Sequence, residues 1–176
     1  MMLNRIALPG AAWMLAISGA ALSQAAPAIN DAQIAHIAYT AGALDVAAGK
    51  QALAKSHNKA VRAFAEEMVR DHDAVNVKAL ALVRKLGVTP QDNPTSQGLS
   101  KQAATELATL SHLKGAAFDR AYVKNEVAYH RTVNGALKTR LIPGSRNAEL
   151  KSLLQTGLTL FTEHQKHAEH LAAALR

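Results

Sequence analysis

GAAFDRAYVKNEVAYHRTVNGALKTRL, residues 115–141, is the stretch that decides the fold. Wound as a helix at about 100° per residue, it places aromatic and aliphatic side chains on one half of its surface and basic side chains on the other. Asp119, Glu126 and His130 depart from this division, because they project near the middle of the apolar arc. An unpartnered buried charge is costly. We therefore expect other helices to supply partners for these three groups.

The chain contains three further long amphipathic stretches. The first covers about residues 31–55 and follows a capping box, in which the side chains of Asn30 and Gln33 bond to each other's backbone N–H groups. The second, about residues 59–86, has Asn58 as its N-cap and a heptad seam of Val61, Ala65, Met68, His72, Val75, Ala79, Leu82 and Leu86. The last covers about residues 148–175.

The segments between these helices complete the fold prediction. Residues 87–98, GVTPQDNPTSQG, are rich in turn-forming residues and predict a linker. A shorter helix is expected from a cap at Ser100 to about Leu113, Pro143-Gly144 ends the opening helix, and Asn147 can cap the last one. No alternating strand pattern of useful length occurs. The fold class is therefore all-α, an antiparallel four-helix bundle with an additional short helix before the third long helix.

Residues 1–25 have the pattern of a secretory signal peptide. An apolar run, residues 6–22, follows one basic residue, and small residues precede a cleavage position after Ala25. An uncleaved membrane anchor is the alternative, although the run is near the lower length limit for a span and contains Pro9. Cleavage predicts a single helical-bundle domain, residues 26–176, located in the periplasm and without a stable membrane span.

The composition excludes several function classes. The chain has no cysteine, which excludes disulfides, thiolate catalysis and cysteine metal ligands. Its formal net charge is +7, but the basic residues are dispersed along outward helix faces without interleaved aromatics. We therefore expect a solvated surface and no nucleic acid partner. No serine stands beside a base in a nucleophile pattern, so covalent catalysis has little support.

Every long helix carries at least one titratable group on its inward face. Carboxylates and imidazoles on facing helices are the usual components of a metal site inside a bundle, and these donors suit zinc, iron, manganese or copper. A divalent transition metal is therefore the candidate cofactor, with neutral imidazoles and Glu as ligands and an Asp orienting one histidine. The candidate ligands are Asp45, His72, Asp119, Glu126, His130 and His164.

Depth along the bundle limits how many of these groups can meet. At about 1.5 Å per residue, Asp45 and His72 differ by only about one turn in their distance from the loop between their helices. If residues 140–146 join the last two helices, His164 lies level with Tyr122, and His130 lies about 12 Å nearer the loop. The sequence therefore predicts a subset of three or four ligands, or two smaller clusters.

Other uses of this inward polar layer stay open at the level of sequence. A di-iron carboxylate centre requires Glu-x-x-His twice, which the chain lacks, but Glu126 and His130 still permit a mononuclear site in a metal-binding or stress-related protein. A non-enzymatic structural or interaction protein is the alternative, in which the buried network, completed by the hydroxyls of Tyr122 and Tyr129, only specifies helix packing. A third possibility is a small molecule bound between the helices. The only sequence feature that favours it is the Ala and Gly content of the first helix.

Several segments match the pattern of one protein family. They are Ala48-Gly49-Lys50, VRAFAEEMVRDH over residues 61–72 continuing to Asn76, FDRAYV over residues 118–123, His130 and His164. Over residues 34–171 the chain resembles exported bacterial proteins grouped as domain of unknown function 4142. This resemblance implies a ferritin-like helical fold and a periplasmic or outer-membrane location, and it supplies no established activity. The family typically has Glu where this chain has Asp45, a shorter acid.

Overall fold

The computed structural model describes residues 29–175, so the predicted signal peptide lies outside the described residues. All regular elements in this part of the chain are helical, which confirms the predicted all-α helical bundle. None of the described helices combines the length and the apolar character needed to cross a membrane. The elements are α1 (Asp31–Lys55), α2 (Lys59–Lys85), α3 (Pro94–Ser111), α4 (Gly115–Ala136), a π-helical turn (Leu137–Leu141), α5 (Ile142–Gly144) and α6 (Ala148–Ala174).

Asparagine side chains cap the starts of α1, α2 and α6. Asn30 Oδ1 accepts from the Gln33 N–H at 2.9 Å, and Gln33 Oε1 accepts from the Asn30 N–H at 3.1 Å, which closes the capping box of α1. Asn58 accepts from two N–H groups in the first turn of α2. Asn147 accepts from the first turn of α6 at 3.0 Å. These three caps are confirmed.

The start of α3 differs from the prediction. The helix begins at Pro94 and not after Ser100, because Asn93 is its N-cap. Asn93 Oδ1 accepts from the Ser96 N–H at 3.1 Å, while Ser96 Oγ accepts from the Asn93 N–H at 3.2 Å. Proline fits the first helical position, since its φ is already helical and no N–H is needed there. The linker therefore shrinks to residues 86–93.

The helix that contains the opening stretch ends at Gly144, within the predicted Pro143-Gly144 stop, but it changes geometry before this end. α4 passes into the π-helical turn, in which the Ile142 N–H donates to the Leu137 carbonyl, and α5 carries helical backbone through Pro143. In a regular α-helix a proline ring clashes with the carbonyl four residues earlier, and the wider π-helical turn relieves that clash. Only residues 145–147 connect α5 to α6.

Two antiparallel hairpins, α1 with α2 and α4 with α6, form the bundle. They meet where α2 packs on α6 and where α1 packs on α4. α3 lies on the outside of α1 and runs parallel to it: Gln51 Nε2 donates to the Leu107 carbonyl at 2.9 Å, and Lys55 Nζ donates to the Ser111 carbonyl at 2.7 Å. α3 therefore carries the chain back along the bundle, so that α4 begins beside the loop between α1 and α2.

Two apolar clusters fill the bundle, one towards each end. One is built around Phe64 and Phe118, near the loop between α1 and α2. The other contains Ile34 and Phe161, near the start of α1. Along each of the four bundle helices, buried titratable groups lie between these clusters. They are Asp45, His72, Glu126, His130 and His164.

Candidate metal centre

Two glycines let α1 and α2 approach closely at the level of Asp45. A Cβ on Gly42 would lie 2.5 Å from Asn76 Oδ1, and a Cβ on Gly49 would lie 2.9 Å from a side-chain carbon of α2. A larger residue at either position would push the helices apart, because the interior is close-packed. Asp45 lies between the two glycines, and its Oδ2 is 3.3 Å from His72 Nε2.

Three histidines on three helices face one another. His72 belongs to α2, His130 to α4 and His164 to α6, and their ring centroids are 5.4 to 5.7 Å apart. Each ring offers a nitrogen, and these nitrogens lie within 4.8 Å of one another. Phe161 stacks on the His72 ring at 4.3 Å and restricts its rotation. Three neutral imidazoles at this spacing would be suitable ligands for one transition metal ion.

Two carboxylates complete this cluster. Asp45 Oδ2 lies between two of the rings, 3.3 Å from His72 Nε2 and 3.5 Å from His130 Nε2. Glu126 Oε2 lies 3.5 Å from His130 Nδ1. Ligand atoms of Asp45, Glu126 and His130 form a second group within 4.8 Å, so that His130 belongs to both groups. The short side chain of Asp45 therefore reaches the histidines.

Hydrogen bonds outside the cluster fix two of the three imidazoles. His164 Nε2 lies 3.0 Å from Asp71 Oδ2, and Arg70 donates to the same carboxylate at 2.7 and 3.1 Å. His130 Nδ1 lies 3.0 Å from the backbone carbonyl oxygen of Glu126. Both oxygens accept hydrogen bonds, so these two nitrogens carry the ring hydrogens. The lone pairs are then on His164 Nδ1 and His130 Nε2, which have no partner among the described residues.

Seven buried polar atoms of the cluster have no hydrogen-bond partner among the described residues. Among the described residues, no partner is found for either carboxylate oxygen of Asp45, either ring nitrogen of His72, Glu126 Oε2, His130 Nε2 or His164 Nδ1. Nearly all buried polar groups in native proteins are paired, and each unpaired group costs about 1 to 3 kcal/mol. Several such atoms converging on one place are expected where a bound ligand completes their bonding.

Burial shifts the cluster towards its uncharged forms. Burial raises the pKa of Asp45 to about 8, and burial together with Asp45 raises the pKa of Glu126 well above its usual range. Burial and the neighbouring His164 ring lower the pKa of His130 to about 4, and burial also lowers the pKa of His72 and of His164. At pH 7 the imidazoles are therefore neutral, and their lone pairs can bind a metal.

Asp119 does not join the other predicted residues. It is buried, but it belongs to neither group of ligand atoms. Ser56 Oγ donates to Asp119 Oδ1 at 2.6 Å, which ties α4 to the loop between α1 and α2. The prediction that Asp119 is a metal ligand is therefore wrong. Its side chain instead joins a helix to a loop.

The predicted levels of His130 and His164 along the bundle are also wrong. His164 lies beside His130, with ring centroids 5.6 Å apart, and not at the level of Tyr122. The helix continues to Gly144, which moves the turn along the chain and shifts the register of α6 against α4. The five predicted residues other than Asp119 therefore form two groups of three that share His130.

Some contacts of the cluster were not predicted from the sequence. Asp71, placed at the margin of the α2 seam, is the carboxylate that orients His164. Its spacing from the seam residues Met68 and Val75 was the available signal, because residues three and four apart lie on the same side of a helix. The Tyr129 hydroxyl donates to the Ala41 carbonyl at 2.9 Å, and the Tyr122 hydroxyl has no partner among the described residues. Neither hydroxyl therefore completes the polar network as predicted.

Comparison with known families identifies the family of this chain. Residues 16–171 match the family described as domain of unknown function (DUF4142). The chain belongs to the DUF4142 family. The match confirms the resemblance found in the helices, and it includes every residue of the cluster.

The DUF4142 description names no activity. No curated protein and no solved structure matches the chain. For this DUF4142 protein, the chemistry of the buried cluster is therefore the basis for a function.

Proposed function

We propose that this DUF4142 protein is exported and holds a divalent transition metal ion at the centre of its bundle. His72, His130 and His164 would be the neutral ligands, and Asp45 the anionic ligand between His72 and His130. One observation carries the proposal: buried ligand atoms that have no hydrogen-bond partner among the described residues converge from four different helices.

A buried network that only fixes helix packing is the competing function. Such a network stabilises a protein when its members satisfy one another, and a partly satisfied network is costly. Asp45 approaches His72 and His130 at 3.3 and 3.5 Å without a hydrogen bond to either, and both ring nitrogens of His72 lack partners within the described chain. A metal ion would satisfy these atoms together, whereas helix packing alone does not explain their convergence.

The surroundings of the cluster support a metal. Metal-binding histidines commonly donate their second N–H to a carboxylate or a backbone carbonyl. His164 does so to Asp71, and His130 does so to the Glu126 carbonyl. Three imidazoles and a carboxylate suit zinc, iron, manganese or copper. The single long connection through α3 is also the connectivity of ferritin-like bundles, many of which hold metal in the core.

The signal-peptide pattern of residues 1–25 supports export to the periplasm. Cell fractionation and the N-terminal sequence of the mature chain test this part of the proposal. A mature N-terminus near residue 26 in the periplasmic fraction is expected, whereas an intact N-terminus in the cytoplasm would contradict export.

Titration with cobalt(II) tests the metal site, because the visible absorption of this ion reports its coordination. The chelator-treated protein should take up about one Co²⁺ per chain. The double variant His72→Leu/Glu126→Leu should take up none, yet should be at least as stable as the metal-free parent, since an apolar pair replaces buried polar groups. His170→Leu, on the exposed side of α6, is the matched control and should bind cobalt as the parent does. No stoichiometric uptake by the parent would favour the packing network.

A further inference from the structure

A cavity of about 240 Å³ extends from the histidine cluster towards the end of the bundle where α1 begins. Asp45, His72 and His130 lie at its inner end. Most of the remaining wall is apolar, and it includes Val75, Ala79, Leu137, Leu154 and Phe161. For comparison, an apolar cavity of about 150 Å³ holds one benzene molecule. Scaled by volume, this cavity has room for about nine or ten non-hydrogen atoms.

The cavity reaches the cluster from one side only. His164 and Glu126 do not line it. Asp45, His72 and His130 do, and each is at least nine-tenths buried and carries a polar atom with no partner among the described residues. The cavity thus has a polar inner end and an apolar body, the arrangement typical of sites for small, mostly apolar ligands.

We propose that the cavity binds an unbranched aliphatic molecule with one uncharged polar end, of the size of a medium-chain alcohol, and that the polar end lies at Asp45, His72 and His130. An empty apolar space destabilises a protein in proportion to its volume, and the aliphatic chain would fill it. A carboxylate end would bring a second acid against Asp45 in an enclosed, apolar place, which is unfavourable.

The orientation of this ligand rests on the proposed function, because a bound metal would offer the polar end a coordination position. Binding of the aliphatic part rests on the cavity alone. In the opposite orientation the polar end would lie at Arg140, which is exposed and lines the outer part of the cavity. A fatty acid bound with its head group at Arg140 would bind more tightly than the alcohol of the same length.

Calorimetric titration of the metal-free protein with 1-alcohols tests the cavity. From 1-pentanol to 1-octanol, affinity should increase by up to about fourfold for each methylene, and 1-octanol should bind more tightly than octanoate. Ala79→Phe, two helical turns from His72, projects a ring into the cavity and should weaken 1-octanol binding at least about tenfold. Ala136→Leu on the opposite wall is a smaller obstruction, for use if the first variant fails to fold. Ala81→Phe, on the exposed side of α2, should bind as the parent does.

Loading with cobalt distinguishes this inference from the proposed function. A change in the visible spectrum of the cobalt-loaded protein when 1-octanol binds supports the orientation, and an unchanged spectrum overturns it. Cobalt uptake without any binding of 1-octanol overturns the inference and leaves the metal site standing. Binding of 1-octanol without cobalt uptake leaves the cavity site standing and refutes the metal site. Equal losses of 1-octanol affinity in Ala79→Phe and Ala81→Phe would refute binding in the cavity. A preference for octanoate over 1-octanol that Arg140→Gln abolishes would refute the proposed position of the polar end.

Discussion

The metal-free protein should lose stability as the pH rises above 7, because two buried carboxyl groups hold protons in the folded state. Burial raises the pKa of Asp45 from 3.8 to about 8, and burial with Asp45 raises that of Glu126. A group whose pKa is higher in the folded chain than in the unfolded chain contributes stability at low pH. That contribution is lost as the pH rises through the folded value.

The histidines act in the opposite direction and at lower pH. Burial lowers the pKa values of His72, His130 and His164 below 6.5, so their contribution is lost as the pH falls below 6.5. The two effects oppose each other in acid, and only the carboxyl effect remains above pH 6.5. From pH 6.5 to 8.5, Asp45 alone should therefore lower the free energy of unfolding by about 2 kcal/mol.

Urea unfolding in the presence of a chelator, at pH 6.5, 7.5 and 8.5, measures this loss. The double variant Asp45→Asn/Glu126→Gln removes both ionisable groups with little change in size, and its stability should be nearly constant over this range. The control Glu66→Gln/Asp73→Asn changes two exposed acids of α2 and should lose stability as the parent does. A parent protein whose stability is constant or rises from pH 6.5 to 8.5 would refute the reasoning, as would an equal loss in the buried double variant.

Three further predictions concern one residue that orients a histidine of the cluster and two residues in the loop between α1 and α2. Asp71→Asn should reduce zinc affinity by about 10- to 100-fold, because it weakens the hydrogen bond that orients His164; competition with a zinc indicator measures this. Ser56→Ala should lower the free energy of unfolding by about 1 to 3 kcal/mol, since buried Asp119 loses its partner. Asn58→Ala should lower it by about 1 kcal/mol through loss of the α2 cap. Urea unfolding measures the last two changes, and reduced zinc affinity in either variant would contradict their placement outside the metal site.

Helix positions and inward faces could be predicted from the sequence, because both depend on local chemistry. The caps at Asn30, Asn58 and Asn147 require only side chains within one turn of each helix start. The inward direction of Asp45 and Glu126 follows from the helical period.

The prediction of buried positions is wrong towards the end of α2, where a small angular difference between the heptad repeat and the helix accumulates. In α2 the predicted heptad seam passes through Val75, Ala79 and Leu82, whereas the structure buries Asn76 and Val83. A straight α-helix drifts by about 20° per heptad from a 3.5-residue repeat, which accounts for the shift.

The contacts that assemble the candidate site could not be predicted from local patterns. His164 meets His130 because the π-helical turn carries the helix through Pro143 and sets the register of α6. The pairing of Asp71 with His164 depends on which helix packs beside α2, and periodicity does not specify a neighbour. For the same reason, the sequence predicted Asp119 as a ligand, although its partner is Ser56 in a distant loop.

Metal content is the most direct test of the proposed centre. Protein isolated from its native compartment without chelator or affinity tag should contain about one transition metal atom per chain by elemental analysis. Chelation should then lower its melting temperature, because an ion that binds only the folded state stabilises it. Protein that contains no metal, takes up none from zinc, iron, manganese or copper, and melts at the same temperature with and without chelator would contradict the account.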